Sequence, residues 1–228
     1  MVFVARPLAL KSASKLLKAG LLVCSFRIEA RLRALGYTAP AGVDEAGRGC
    51  LFGPVTAAAV ILPHPCNIKG LRDSKTVPPA ERVRLAERLK GESVAWAVGF
   101  ASVEEIRRLN ILEASRLAMQ RAISALNPQP DYVLLDAMRV PLDFPQESII
   151  HGDAISRSIA AASILAKVER DRLLDRFHRR YPVYGLDRNK GYGTKIHLEA
   201  LKSHGVTPQH RSDFAPVRAI IEARRPIL

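Results

Sequence analysis

Cysteine is scarce in this chain: three residues of 228, Cys24, Cys50 and Cys66, an odd number with no C-x-x-C pair. Such a set supports neither a disulfide framework nor a zinc site, and a reducing, cytoplasmic setting is expected. Long hydrophobic runs are missing too. No stretch approaches the roughly 18 apolar residues that a membrane-spanning helix needs, so no membrane association is expected. There is no internal repeat and no low-complexity tract, which excludes solenoid and fibrous architectures. Acidic residues are absent up to Glu29, while Arg6, Lys11, Lys15, Lys18 and Arg27 stand among Ala, Leu and Ser. That acid-free stretch is open to three readings: an organellar transit peptide, a nucleic-acid-binding arm, or a dispensable extension.

What is present is ordinary in bulk and unusual in charge. With 48% hydrophobic and 25% charged residues, the chain can bury one sizeable core. Residues 1–23 read as a basic extension and 24–228 as one catalytic domain whose C-terminal part is helical. The 35 Lys and Arg outnumber the 22 Asp and Glu, a net charge of +13. A surplus of that size favours a polyanionic partner, because each neutralised phosphate releases condensed counterions.

From Ala41 the pattern sharpens. Gly42 to Asp44 reads as a strand end, followed by a Gly-rich turn and the apolar run Val55 to Leu62. A connection that short predicts antiparallel neighbours. Glu81 to Lys90 reads as a charged helix and Ser93 to Phe100 as a strand. Ser102 with Glu105 forms a capping box, and the helix it opens is expected to run to about Leu126, where Asn127-Pro128 stops it. Tyr132 to Leu135 is a short strand ending at Asp136, and a loop follows. Ile155 to about Arg180 has helical spacing, and Thr194 caps a helix from Lys195 to Ser203. Strands first, then strand and helix in alternation, make an α/β domain.

Four acids stand where a site would be built. Asp44 and Glu45 lie where a strand runs into Gly47-Arg48-Gly49, Asp136 ends an apolar strand, and Asp153 follows Gly152 just before an apolar helix. α/β folds place their ligands at strand ends, so these acids could converge. Converged carboxylates repel unless a cation lies between them. An oxygen-only set without Cys or His suits Mg²⁺ or Mn²⁺ better than zinc, and two such ions can drive phosphodiester hydrolysis. Each acid taken singly is equally a turn former or helix cap, Asp153 above all. Adjacent strand residues also face opposite ways, so Asp44 and Glu45 can share a site only if the strand ends or bends there.

The surroundings add a resemblance. Gly42 to Gly49 (G-V-D-E-A-G-R-G), Asp73-Ser74-Lys75, the strand ending in Asp136, Gly152-Asp153, Ile159 to Asp171, Lys190 to Thr194, His210-Arg211 and Phe214 follow one order along residues 24 to 217. In that order and spacing the chain resembles ribonuclease HII, the type 2 ribonuclease H family. The resemblance implies a ribonuclease-H-like α/β fold: a mixed central β-sheet flanked by helices, with a helical C-terminal part. It implies an endoribonuclease that cuts the RNA strand of RNA–DNA hybrids and incises DNA 5′ of embedded single ribonucleotides, leaving 3′-hydroxyl and 5′-phosphate ends. Asp44, Glu45, Asp136 and Asp153 then look like the catalytic, metal-binding carboxylates, for two Mg²⁺ or Mn²⁺ ions. Gly47, Arg48 and Gly49 look like the loop that senses the ribose 2′-hydroxyl, and Tyr192 like the tyrosine that stacks on the neighbouring sugar.

The residues themselves are compatible with these roles. Two glycines around Arg48 let backbone approach a sugar, and the 2′-hydroxyl is what distinguishes RNA from DNA. Tyr192 sits between Gly191 and Gly193 with few neighbours to bury it, although a Gly-Tyr-Gly loop is equally a turn with one packed ring. Lys75, Lys190 and Arg211 suit phosphate contacts. Lys167–Asp171 and Asp175–Arg179 fit helix ion pairs, with Asp171 structural. The six histidines form no ligand spacing and are expected in surface or packing roles. Three positions depart from the family's pattern: Cys50 in place of proline, His151 in place of lysine, and Asp136-Ala137-Met138 in place of Asp-Gly. None removes a ligand. The expected partners are RNA–DNA hybrid and ribonucleotide-containing duplex DNA, met as a monomer. Two rivals are a non-catalytic basic binding module and a DNA nuclease or resolvase on the same fold.

Overall fold

The computed structural model describes residues 24–224; the basic segment 1–23 lies outside the described residues. The described residues open with helix α1 (Arg27–Ala34), then strands β1 (Pro40–Ala46) and β2 (Val55–Ile61). Helix α2 (Pro79–Glu92), β3 (Ala95–Ala101), α3 (Val103–Leu109), α4 (Ile111–Ser124), β4 (Tyr132–Asp136) and β5 (Gln146–Ile149) follow. The long α5 (Arg157–Arg180) comes next, then the short α6 (Leu186–Asn189), α7 (Lys195–His204) and α8 (Ala215–Ala223). The five strands form one mixed sheet in the order β3-β2-β1-β4-β5. β1 pairs antiparallel with β2, as the short connection predicts, and parallel with β4, which pairs parallel with β5.

Both faces of the sheet are covered, which is why β2 reads as an unbroken apolar run rather than an alternating one. Val43, Ala57, Ala59 and Leu135 pack on Ala118, Met119 and Ile123 of α4. Ala58 and Val60 pack against Ile164 and Leu165 of α5 and Leu85 and Leu89 of α2. Gly42 lets α5 reach the central strand: a Cβ there would sit 2.0 Å from the carbonyl carbon of Ser158. The first turn of α5 is thereby pressed onto β1 on the face that also carries Asp44, two residues on. A third cluster, with Leu51, Phe52, Leu174, Tyr184, Leu201 and Val217, ties the C-terminal helices to the turn after β1.

Three features depart from the expectations. The helix opened by Ser102 stops at Leu109. Asn110, at φ 70°, restarts it as α4, its side chain accepting from the amides of Leu112 and Glu113. Asparagine tolerates that left-handed conformation and is a strong N-cap. β5 was expected as loop, since four half-buried residues (Q-E-S-I) carry no apolar pattern. Asp175 pairs with Lys190 instead of Arg179. Lys167–Asp171 does form, at 2.6 Å, and Arg82 stands 3.8 Å from the same carboxylate, so Asp171 is structural. Among the described residues no helix is long and apolar enough to cross a membrane.

Candidate active site

Asp44 and Asp136 end up side by side because β1 and β4 are parallel neighbours with Val43 opposite Leu135. Asp153 arrives from the far side. β5 delivers the chain to His151, whose left-handed backbone (φ 57°) turns it back into a short 3-10 turn, Gly152–Ala154, ahead of α5. The turn is fastened to the site by the Gly152 amide, which donates to Asp136 Oδ1 at 2.7 Å. Three carboxylates, one oxygen from each within 4.8 Å of the others, result.

Glu45 is the exception among the four predicted acids. β1 continues in regular register through Ala46, and Glu45 stays outside the group of three, yet near enough for its charge to act on Asp44. One of its oxygens meets Arg48 Nη1 at 3.3 Å, and the other, Oε2, is buried without a partner. Asp73, which was given no role from sequence, lies at the rim. Lys75 Nζ stands 3.8 Å from it and 3.6 Å from Asp153. The signal for it was the Asp73-Ser74-Lys75 triplet. Ser74 anchors that loop through a 2.8 Å bond to the buried hydroxyl of Ser163 on α5.

Crowding acids under low solvent access disfavours their charged forms. Burial, then the charges of Glu45, Asp136 and Asp153, push the Asp44 carboxyl well above its ordinary range. Asp153 is raised to about 6 by burial and by Asp136 and Asp73. Burial also raises Asp136, with the Gly152 amide opposing, and Glu45, with Arg48 opposing. Oxygen ligands only, mutual repulsion and an orphaned buried carboxylate oxygen are what a hard divalent cation relieves. The residues present fit such an ion.

Beside the acids lies a two-loop surface. Gly47 (φ 93°) has no room for a side chain, since a Cβ would fall 1.9 Å from Arg170 Nε. Around Gly49 the space is open, leaving its backbone accessible. The second loop carries Lys190, Gly191 and Tyr192, and Tyr192 is 46% exposed. Leu51 N–H donates to Gly191 O at 2.8 Å and joins the loops. Beneath both lies Arg170, a residue the sequence reading missed. It is buried and donates to the carbonyls of Phe52 (3.0 Å), Lys190 (2.9 Å) and Pro54 (3.3 Å).

Two predicted phosphate contacts are engaged elsewhere. The Lys190 ammonium pairs with Asp175. Arg211 is buried, donating to Gly53 O at 2.9 Å and Arg48 O at 2.8 Å, and burial next to Arg170 brings its pKa down to about 9. It braces the Gly47–Gly49 loop from below. Lys75, by contrast, has a side chain 81% exposed at the mouth of the acid cluster.

A family model described as Ribonuclease HII matches residues 41–217. The chain belongs to the ribonuclease HII family. It is 57% identical to the ribonuclease HII of Moorella thermoacetica over 187 residues, 82% of this chain and 91% of that one. Identity to the ribonuclease HII of Geobacillus kaustophilus is 51%, over 86% of this chain and 76% of that one. Among solved structures, the ribonuclease H2 of Pyrococcus horikoshii superposes with a TM-score of 0.68 at 26% identity, over 82% of this chain and 98% of that one. The ribonuclease HII in the PCNA complex from Archaeoglobus fulgidus gives 0.64 at 25% identity, over 78% and 95%. Membership makes the chain an endonuclease that degrades RNA in RNA–DNA hybrids. The family is metal-dependent, and the three acids form a group that could hold an ion.

Proposed function

We propose that the enzyme cuts the RNA strand of hybrids and also incises duplex DNA on the 5′ side of a single embedded ribonucleotide, leaving 3′-hydroxyl and 5′-phosphate ends. The observation that carries this reading is the triad of buried Asp44 and Asp153 and half-buried Asp136, opening beside the Gly47–Gly49 backbone. Asp44, Glu45, Asp136 and Asp153 would hold two ions, Mg²⁺ or Mn²⁺, with Glu45 engaging through its unpartnered oxygen. When bound, such ions activate the attacking water and stabilise the leaving oxygen.

The chain's own residues then supply recognition. The backbone of Gly47-Arg48-Gly49 approaches the ribose closely enough to hydrogen-bond its 2′-hydroxyl, the group that marks RNA. Tyr192 stacks on the following sugar, where a second 2′-hydroxyl would crowd the ring, so the enzyme senses an RNA-to-DNA junction. Arg48 and Lys75 meet phosphates, and Lys190 does so by leaving Asp175. Arg211 serves the site by holding the loop. The enzyme acts as a cytoplasmic monomer, and residues 1–23 form an extension not needed for chemistry. The test is cleavage, with Mg²⁺ and then Mn²⁺, of a hybrid, a single-ribonucleotide duplex and an all-DNA duplex. Cutting of the first two alone is expected. Cutting of all-DNA would make the enzyme a general nuclease, and binding without cutting would make it a recognition module.

A further inference from the structure

Three successive carbonyls of the Tyr192 loop are held from below. Lys190 (φ 48°) and Gly191 (φ 82°) are both left-handed, a conformation that persists only where neighbours enforce it. Lys190 O accepts from Arg170 and Gly191 O from Leu51. Tyr192 O accepts from His197 Nδ1 at 2.8 Å as well as from Thr194 N–H.

His197 belongs to a chain of contacts with one consistent assignment of protons. Thr207 N–H donates to His210 Nδ1 at 2.9 Å, so that nitrogen is bare and the ring carries its proton on Nε2. His210 Nε2 stands 3.2 Å from His197 Nε2, which must therefore accept, leaving His197 with Nδ1–H. That proton points at Tyr192 O. Both rings are buried between Phe52 and Tyr184, edge to face with His210 at 4.8 Å each. A second proton on either ring would set N–H against N–H. Burial lowers both pKa values, His210 to about 3 with help from His197, so the pair is neutral. The far end is tied to the other substrate loop, because Gln209 O accepts from Gly53 N–H at 2.8 Å and Arg211 holds Arg48 O.

We propose that His197 and His210 are positioning residues for Tyr192, and that this buried pair sets how sharply the enzyme distinguishes an RNA–DNA junction from continuous hybrid. The inference rests on the junction-sensing reading of Tyr192. The test measures kcat/KM on a single-ribonucleotide duplex and on a continuous hybrid for the full chain and for Tyr192→Ala, His197→Leu, His197→Asn and His210→Leu. Asn Nδ2 takes the place of imidazole Nδ1 and keeps the bond to Tyr192 O, so His197→Asn should retain the wild-type ratio. His197→Leu and His210→Leu should lose about three- to tenfold more on the single-ribonucleotide duplex than on the hybrid, the scale of one hydrogen bond. Equal losses on both substrates, or identical behaviour of His197→Asn and His197→Leu, would reduce the pair to packing and overturn the inference. If Tyr192→Ala itself loses equally on both, the reading of Tyr192 fails. If Tyr192→Ala discriminates and the histidine variants do not, only the pair's role fails. Should the leucine variants not fold, ¹⁵N spectra of wild-type histidines decide: neutral His197 with Nδ1–H and neutral His210 with Nε2–H support the pair, and a charged ring or opposite tautomer overturns it.

Discussion

Asp136 is the acid whose removal should be cleanest. It lies at the end of a strand, accepts the Gly152 amide and faces Asp44 and Asp153, so Asn in its place keeps the shape and one acceptor while removing a charge. Asp136→Asn is expected to lose nearly all cleavage while its affinity for hybrid, measured by anisotropy without cleavage, stays close to wild type. Cutting at the wild-type rate would remove Asp136 from the site. The raised carboxyl pKa values give a second expectation. Asp153 holds its proton up to about pH 6 in the folded protein, against an ordinary value of 3.8. Between those values the folded state binds more protons than the unfolded one, so this group's stabilisation is full below the lower value and is lost as pH rises through the upper. The metal-free protein should therefore show a Tm that falls from pH 5 to pH 8. Mg²⁺ or Mn²⁺ should raise Tm more at pH 8 than at pH 5, because ion and protons compete for the same oxygens. A metal effect equal at both pH values would contradict it. From sequence, the four acids were visible by their strand-end positions and through the family resemblance. Which three gather most tightly was not, because the outcome for Glu45 depended on whether β1 bends. Arg170 and His210 fell within the motifs that carry the resemblance, but their roles, and the pairing of His197 with His210, were not legible, because their partners are backbone carbonyls and rings brought near only by the fold.

At the scale of elements, those with strong local signals were legible: β2 by its apolar run, α2, α5 and α7 by spacing or caps, and α3 by its capping box. What failed was local and weak. Asn110 interrupts a helix whose apolar pattern continues on both sides, and β5 pairs through its backbone with little apolar content. Helix α1 left no expectation either, yet it holds the start of α5. Buried Glu29 accepts from Ser156 Oγ at 2.6 Å and from Ser158 N–H at 2.9 Å, at the turn that follows Asp153. Glu29→Ala leaves those donors unpaired in the interior and should cost about 1–3 kcal/mol of stability. The metal requirement should rise with it, as the Asp153 turn loosens. Denaturant melts and a Mn²⁺ titration of activity measure the two effects. A loss of stability with unchanged metal dependence would confine α1 to packing.

At the scale of the whole molecule, the architecture joins two dissimilar surfaces. One is an acid cluster, built from the ends of the parallel strands β1 and β4 and the turn before α5, that could hold a cation. The other is a pair of backbone loops, braced by Arg170, Arg211 and the histidines, in a chain of net charge +13 that attracts the same polyanion. On the proposed reading, chemistry and recognition would meet where the Gly47–Gly49 loop leaves β1, directly after Asp44 and Glu45, and that adjacency would determine where a strand is cut. The most direct measurement is the position and chemistry of the break in a duplex carrying one ribonucleotide, read at nucleotide resolution with Mg²⁺ or Mn²⁺. The ribonucleotide should remain at the 5′ end of the downstream fragment with a 5′-phosphate, and the upstream fragment should end in a 3′-hydroxyl. Cleavage on the 3′ side, cyclic or 3′-phosphate ends, or equal cutting of the all-DNA duplex would contradict it.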